Sequence, residues 1–399
     1  MKLNNNLHLT YCTNIHSGET WDTIFQNLKT NIPQIKSLSS TSSQTANFGI
    51  GLRLSDIASR EILQSNHLQL FKDWLAENNC YVFTINGFPF GNFHQERVKD
   101  AVHLPDWTTP TRLDYTLRLF DILAEILPPM MEGGISTSPL SYKLWHITEH
   151  EENATFEMAT ENLIQVVQHL VKIREKTGKL LHLDIEPEPD GMIENTSETI
   201  DYFNDYLLKQ GARKVGEEAI RTHIRLCYDV CHFAVEYEDH VLALQAFENE
   251  GIKIGKIQIS AALKANLPIN LLQRQAIFEE FSTFNEPVYL HQVIARNKAH
   301  KLFNFNDLSS ALRNATAADF VEWRTHFHVP IFLEKYHLLQ STQEDIVQVL
   351  TVLKQKPHLT QHLEVETYTW EVLPEEMRIT ISESIARELQ WVENIIAVI

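Results

Sequence analysis

Three acidic side chains, Glu186, Asp229 and Glu366, sit at the ends of short β-type runs far apart in the chain. Side chains alternate between the two faces of a strand. In Leu181-His182-Leu183-Asp184-Ile185-Glu186 the apolar residues therefore take one face, and His182, Asp184 and Glu186 take the other. The same parity groups Arg225, Cys227 and Asp229, then Lys256, Gln258 and Ser260, then His326 with His328, then His362, Glu364 and Glu366. A half-solvated antiparallel sheet would also alternate in this way. Helical segments separate these runs, however, so the strands are expected to be parallel and covered, and the polar face to have no bulk water before it. Carboxylates turned into one enclosed space repel each other and lose hydration unless protons or a cation neutralise them. The expected chemistry is a divalent metal site with acid–base groups around it.

Each candidate has a functional and a structural reading. Glu186 opens the run Glu186, Glu188, Asp190, stiffened by Pro187 and Pro189; it is read as a ligand, the alternative being a loop carboxylate that caps a helix. Asp229 and His232 form Asp-Val-Cys-His, a ligand with a neighbouring imidazole or a helix N-cap with an incidental His. Gln258 offers an amide oxygen to a hard cation or a hydrogen bond to the core. His326 and His328 put two rings on one face, and His291 is a weaker case because its strand falls near an expected insertion. Glu366 is read as the ligand of the last strand, with Glu364 one layer deeper and one of the two available to Arg225 or Arg53. Arg53 and Asn86, with Asn14, His16, Ser136 and Ser138, read as substrate contacts. Trp21, Phe88, Phe90, Phe93, Trp107, Trp145 and Trp370 are available to wall a pocket or simply to pack loops. Oxygen and nitrogen donors without thiolate favour Mn²⁺, Mg²⁺ or Zn²⁺.

The elements that must position these groups are eight β-type runs with helical periods between them. The strands are expected at Leu7–Thr13, Phe48–Leu54, Cys80–Asn86, Gly134–Ser138, Leu180–Glu186, Ile224–Asp229, Lys256–Ser260 and His362–Glu366. The clearest helix follows Thr160, with Leu163, Val166, Val167, Leu170 and Ile173 on one stripe and Gly178 as its stop. Another is expected after Pro374. Eight such units in 399 residues match a (β/α)₈ barrel (TIM barrel) with long loops. The reading is a single domain, 1–399, with an insertion at about 287–319 holding a hairpin and a short helix. Further strand-like pieces stand at Val288–Val293 and Thr325–Phe332. An open doubly wound sheet is the rival, but no Gly-rich phosphate turn of either common type occurs.

Composition sets the outer limits. Thirty-four basic against 52 acidic residues leave a net charge of −18, which opposes phosphate backbones and anionic lipid. Nucleic-acid partners and membrane insertion are not expected. Four cysteines in no redox or zinc spacing, and no stretch of about 20 apolar residues, lead to a cytoplasmic reading. Neither Gly-x-Ser-x-Gly nor His-Glu-x-x-His is present.

The order Glu186, Asp229-x-x-His232, Gln258, Glu366 resembles the xylose-isomerase-like TIM barrels, the family of sugar isomerases, sugar epimerases and endonuclease IV-type enzymes. Residues 9–21, 81–91 and 104–107 (LTYCTNIHSGETW, YVFTINGFPFG and LPDW) resemble one branch more closely, the EboE-type metabolite traffic proteins, over nearly the whole chain. The resemblance implies metal ligation by Glu186, Asp229, Gln258 and Glu366. It also implies proton relay by Glu186 and Glu366 as catalytic base and acid on a small hydroxylated metabolite. His232, His326, His328, His291, Asn86 and Arg53 are then substrate-binding or supporting residues, and partners in a metabolite-transport pathway are implied. Two departures stand out: Gln258 where many sugar epimerases carry His, and His326 where the endonuclease branch has Asp. The alternatives are a non-catalytic metabolite-binding or hand-over protein and an endonuclease IV-like phosphodiesterase, the latter opposed by the negative charge.

Overall fold

The computed structural model describes residues 1–3, 7–39, 47–91, 99–314, 319–370 and 379–399; Phe93 and Pro374 lie outside them. Eight strands form one parallel sheet: β1 (His8–Tyr11), β2 (Phe48–Arg53), β3 (Cys80–Asn86), β4 (Gly133–Thr137), β5 (Leu181–Ile185), β6 (Ile224–Asp229), β7 (Ile254–Ile259) and, last in the chain, β14 (His362–Val365). Their order is β1–β14–β7–β6–β5–β4–β3–β2. A bridge between Cys12 and Gly51, with Thr10 Oγ1 donating to the Gly49 carbonyl at 2.8 Å, brings the outer strands together. The fold is a (β/α)₈ barrel, and its strands are the eight expected runs.

Local chemistry sets the helix limits. Thr148 and Glu151 form a capping box at the start of Glu149–Thr177, whose buried stripe includes Leu163, Val166, Val167 and Leu170. It stops where Gly178 turns left-handed at φ 74°. A second capping box, Thr380 with Glu383, opens the closing helix Ile381–Val398. No helix among the described residues is long and apolar enough to cross a membrane.

The barrel lumen is polar and buried. His182 Nδ1 lies 2.6 Å from Asp184 Oδ1, and Lys256 pairs with Glu364, all four side chains inaccessible to solvent. Room for these groups comes from glycine: a Cβ at Gly255 would fall on the Asp184 carboxylate, and one at Gly51 on that of Glu364.

Between β7 and β14 the chain builds a second, antiparallel sheet from β8 (Leu263–Asn266), β9 (Val293–Asn297), β10 (Leu302–Phe305), β11 (Phe320–Thr325), β12 (Lys335–Tyr336) and β13 (Leu339–Ser341). The expected hairpin and short helix at 287–319 are present as β9–β10 and Leu308–Arg313. The sheet reaches further than that span, because β8 and β11 pair with each other across the base of the hairpin. This corrects two strand limits. The piece expected at 288–293 becomes a strand only from Val293, and the one expected at 325–332 is paired only up to Thr325. His326 and His328 therefore ride on an irregular segment that returns from the second sheet, tied down by His326 N to Gln292 O at 2.9 Å and Val329 N to Ala261 O at 3.0 Å.

Candidate functional site

Glu186 and Glu366 each follow the last residue of a barrel strand and continue its ladder, Glu186 N donating to Thr137 O at 3.0 Å and Glu366 N to Ile259 O at 3.1 Å. Asp229 ends β6, and its Oδ1 accepts from His232 N at 3.1 Å, capping Val230–Val235. The helix-cap reading of Asp229 is thus observed, with one oxygen on the cap and the other left without a hydrogen-bond partner among the described residues. Glu186, Asp229 and Glu366 each present an oxygen within 4.8 Å of the others. Glu186 Oε2 and Asp229 Oδ2 are buried without a hydrogen-bond partner among the described residues. Lys256, on the inward face of β7, is already engaged with Glu364 beneath. Burial, then the charges of Glu366 and Asp229, hold the Glu186 carboxyl well above the usual range. Burial, then Asp229, pushes Glu366 up to about 8.

Three imidazoles face this acid cluster. His232 Nδ1 lies 2.9 Å from the Pro187 carbonyl oxygen and His328 Nδ1 3.1 Å from that of Glu366. His326 Nδ1 lies 2.9 Å from Gln292 Oε1, and Gln292 Nε2 donates to Pro189 O at 3.0 Å, which turns the amide oxygen toward the ring. Since each partner accepts, all three Nδ1 atoms carry a proton, and any of these rings that is neutral presents its Nε2 lone pair. Those atoms converge: His326 to His328 at 3.2 Å and His328 to His232 at 3.3 Å. Facing lone pairs need a proton or a cation between them. Burial lowers His328 to about 4 and His326 well below its ordinary value, which disfavours the proton. The Asp229 carboxylate lies 3.9 Å from Nε2 of both His232 and His328. A further grouping, Cys231 with His326 and His328, shares the same corner.

The structure thus offers a hard oxygen set and a nitrogen-rich set that share Asp229. The unpartnered oxygens and the converging lone pairs fit a divalent cation, and the Nδ1 contacts to oxygen acceptors are the arrangement that orients metal-bound imidazoles.

Other expected residues are placed as follows. Asn86 and Asn14 both donate to Glu366 Oε1, at 3.0 and 2.7 Å, and both line the cavity. Gln258 is buried in register with Glu364, one layer below Glu366; turned toward that carboxylate, its amide nitrogen donates to Glu364 Oε2 at 3.0 Å. Its amide nitrogen is engaged by Glu364, and Gln258, which also pairs in register with Asp229, is not among the residues lining the cavity. Arg53 likewise stands apart, paired with Glu19 at 3.0 Å and bonded to Gly18 O at 2.8 Å. The arginine expected beside Glu364 or Glu366 is replaced by Lys256, because Arg225 reaches Glu132 at the other end of its strand. His291 faces away, bonded to Glu286 at 2.7 Å and to His326 O at 3.0 Å and stacked on Phe327. It buttresses His326 from behind. His16 bonds Tyr11 OH at 3.0 Å and lies outside the cavity, as do Ser136 and Ser138.

The cavity above the acids has a volume of about 70 Å³. Several of its walls escaped the sequence reading. His103 Nε2 lies 3.0 Å from Glu188 Oε1 on one wall. Tyr368 stacks on His328 with ring centres 4.6 Å apart. Tyr368 was within reach, two residues past Glu366 on the same parity. His103, Tyr289 and Gln292 arrive on loops with no comparable signal.

No family model and no curated protein matches this chain. Among solved structures, it is similar to the IolI protein with a bound zinc atom, at 10% identity, a TM-score of 0.49 and 98% coverage of both chains. It is also similar to a xylose isomerase-like TIM barrel protein from Mycobacterium smegmatis in complex with magnesium, at 9% identity, a TM-score of 0.49, and 98% and 96% coverage. A xylose isomerase domain protein from Alicyclobacillus acidocaldarius matches at 10% identity, a TM-score of 0.45 and 98% of both chains. At such identities no residue role passes from those proteins to this one.

Proposed function

We propose that the protein is a metal-dependent isomerase or epimerase that moves a proton next to a carbonyl group in a small hydroxylated metabolite. The observation that carries this reading is the enclosed acid cluster with unpartnered oxygens on Glu186 and Asp229 beside three converging imidazole nitrogens. Glu186, Asp229 and Glu366 would hold the ion, with His232 and His328 as the alternative or second donor set around Asp229. Bound there, a divalent ion supplies Lewis-acid polarisation of a substrate oxygen. Mn²⁺, Mg²⁺ and Zn²⁺ all suit these donors.

The chain's own residues supply the rest. Glu186 just after β5 and Glu366 just after β14 are separated by β6 and β7 in the sheet, so they approach the enclosed space from different sides. One takes a proton from carbon and the other returns one to the opposite face. Without a cation, burial and Asp229 hold Glu366 near 8; a bound divalent ion would offset that repulsion and favour the carboxylate that acts as base. The Asn14 and Asn86 amides fix its Oε1 and leave Oε2 as the working atom. The Glu188–His103 pair lines the same cavity and is available to a substrate hydroxyl. A link to metabolite transport would follow from the EboE-type resemblance alone, and a cytoplasmic setting suits the chemistry.

The test is proton exchange in D₂O. Mn²⁺-loaded protein is incubated with a panel of free ketoses, and deuterium at the carbon beside the carbonyl is read by proton NMR. Exchange that disappears in Glu366→Gln while bound manganese persists supports the proposal. Binding without exchange indicates a hand-over protein instead. Metal-free protein after manganese, magnesium and zinc loading overturns the reading.

A further inference from the structure

A thiol lies behind the imidazole corner. Asp229 caps the short helix Val230–Val235, and successive helix residues point about 100° apart, so Cys231 and His232 leave it in different directions. His232 turns to the Pro187 carbonyl, and Cys231 to the irregular segment that carries His326 and His328. The Cys231 Sγ lies 3.3 Å from the carbonyl oxygen of Phe327, the residue between the two histidines. Cys231, His326 and His328 each present a ligand atom within 4.8 Å of the others. They are 0%, 6% and 1% exposed.

Two observations separate this corner from an ordinary packed cysteine. The first is ring orientation. His326 Nδ1 faces Gln292 Oε1 at 2.9 Å and His328 Nδ1 faces Glu366 O at 3.1 Å, both acceptors, so each Nδ1 holds a proton. The two Nε2 atoms then meet at 3.2 Å, and burial disfavours the additional proton that would join them. The second is spacing. Two nitrogens bound tetrahedrally to zinc at about 2.0–2.1 Å stand about 3.3–3.4 Å apart, close to the distance observed. Thiolate with imidazole is a zinc donor set, softer than the carboxylates of the acid cluster.

We infer that the protein has a zinc-selective site made by the Cys231 thiolate with Nε2 of His326 and His328, distinct from the carboxylate site of Glu186, Asp229 and Glu366. Loading exchanges the thiol hydrogen for zinc: the S–H bond breaks, its proton leaves to solvent, and the electron pair left on sulfur forms the Zn–S bond while both imidazoles stay neutral. One net positive charge remains, and the Asp229 carboxylate, 3.9 Å from His328 Nε2, balances it. His326 and His328 line the cavity while Cys231 is fully buried, so the fourth position opens to the cavity and takes a water or a substrate oxygen. The assignment gives His328 to zinc and leaves His232 beside Asp229 for the ion of the acid cluster. It does not depend on the proton transfer proposed there.

The probes are Co²⁺, Zn²⁺ and Mn²⁺, each added to the metal-free protein. Cobalt in a zinc site reports a sulfur ligand as an intense thiolate-to-metal charge-transfer band in the near ultraviolet. The band is expected in wild type and in the double variant Glu186→Gln with Glu366→Gln, where the carboxylate site is broken. It should vanish in Cys231→Ser and in Cys231→Ala, the latter suited to the apolar neighbours Val235, Ala262 and Ile294. Zinc affinity against a chromophoric chelator should fall about 100-fold or more in both, beyond the cost of losing a supporting partner, with bound manganese unchanged. His326→Gln gives the same zinc test with the thiol in place, and decides the matter should neither cysteine variant fold. No band in wild type, a band that persists in Cys231→Ala, a band lost with the two carboxylates, or zinc affinity unmoved in these variants overturns the inference. Wild-type protein that shows the band but retains no manganese upholds the zinc site and defeats the proposed function instead.

Discussion

Asp229→Asn should raise the stability of the metal-free protein and abolish its stabilisation by metal. The amide oxygen of Asn can keep the contacts that Oδ1 now makes, from Ser260 Oγ at 2.6 Å and His232 N at 3.1 Å. What changes is the charge. Oxygens of Glu186, Asp229 and Glu366 lie within 4.8 Å of one another. At an effective dielectric of about 20, a like pair at that distance costs about 3.5 kcal/mol. Asp229 belongs to two such pairs, but Glu366, held up at about 8, and Glu186, held well above the usual carboxylate range, both carry a proton much of the time at pH 7. Only a fraction of one such pair is relieved, and a net gain of about 1 kcal/mol remains for the metal-free variant. With an unfolding entropy of about 2.1 cal/mol/K per residue over 399 residues, 1 kcal/mol is worth about 1 °C, so Tm should rise by about 1 °C. Mn²⁺ at about a thousand times its Kd adds about 4 kcal/mol to a competent site, roughly 5 °C in the wild type and almost nothing in the variant. Scanning calorimetry with and without Mn²⁺ reads both effects. A variant that melts lower when metal-free and shifts as far as wild type with Mn²⁺ would refute the reasoning.

Three further outcomes are expected. Gln292→Leu removes the acceptor that holds the proton on His326 Nδ1, and zinc affinity measured against a chromophoric chelator should fall about 10- to 100-fold. Lys256→Met strands Glu364 in the lumen and should cost about 3–5 kcal/mol by denaturant unfolding, whereas Lys256→Met with Glu364→Leu should recover most of it. Glu388 is fully buried, accepts from Thr367 Oγ1 at 2.7 Å and Ile331 N at 3.1 Å, and is pushed by burial up to about 8. Because its folded pKa lies above the unfolded one, the folded state holds the proton longer. Stability is therefore full below about 4.5 and declines as pH rises toward about 8. Urea unfolding of Glu388→Gln between pH 5 and 9 should show a shallower decline, and equal slopes would refute the assignment.

The barrel was legible because strands covered on both faces leave no bulk water to explain alternate polar residues. With the strands parallel and covered, His182, Asp184 and Glu186 read as lumen and rim, and that is where they lie. Parity, however, names a face and not a height. Gln258 has the right face and pairs in register with both Asp229 and Glu364, yet its amide nitrogen turns to Glu364, and the direction an amide takes is not recorded in parity. Arg53 met Glu19 instead of the site because its partner comes from the loop after β1, a contact that no local pattern records. The case of His326 and His328 is the reverse. They were grouped as neighbours on a regular strand, yet the structure aligns them on an irregular segment held by Gln292, Ala261 and Glu366. The grouping survives because residues two apart in any extended backbone share a side, whether or not the backbone is paired. Donors on the strands are thus readable one residue at a time, whereas His103, Tyr289 and Gln292 depend on where the long loops and the second sheet cross the barrel mouth. It follows that the proposed acid–base chemistry and whatever selects the substrate have different sequence signatures. The first is written in strand parity. The second lies in loop paths, and substitutions there should change which molecule enters while leaving the acid cluster intact.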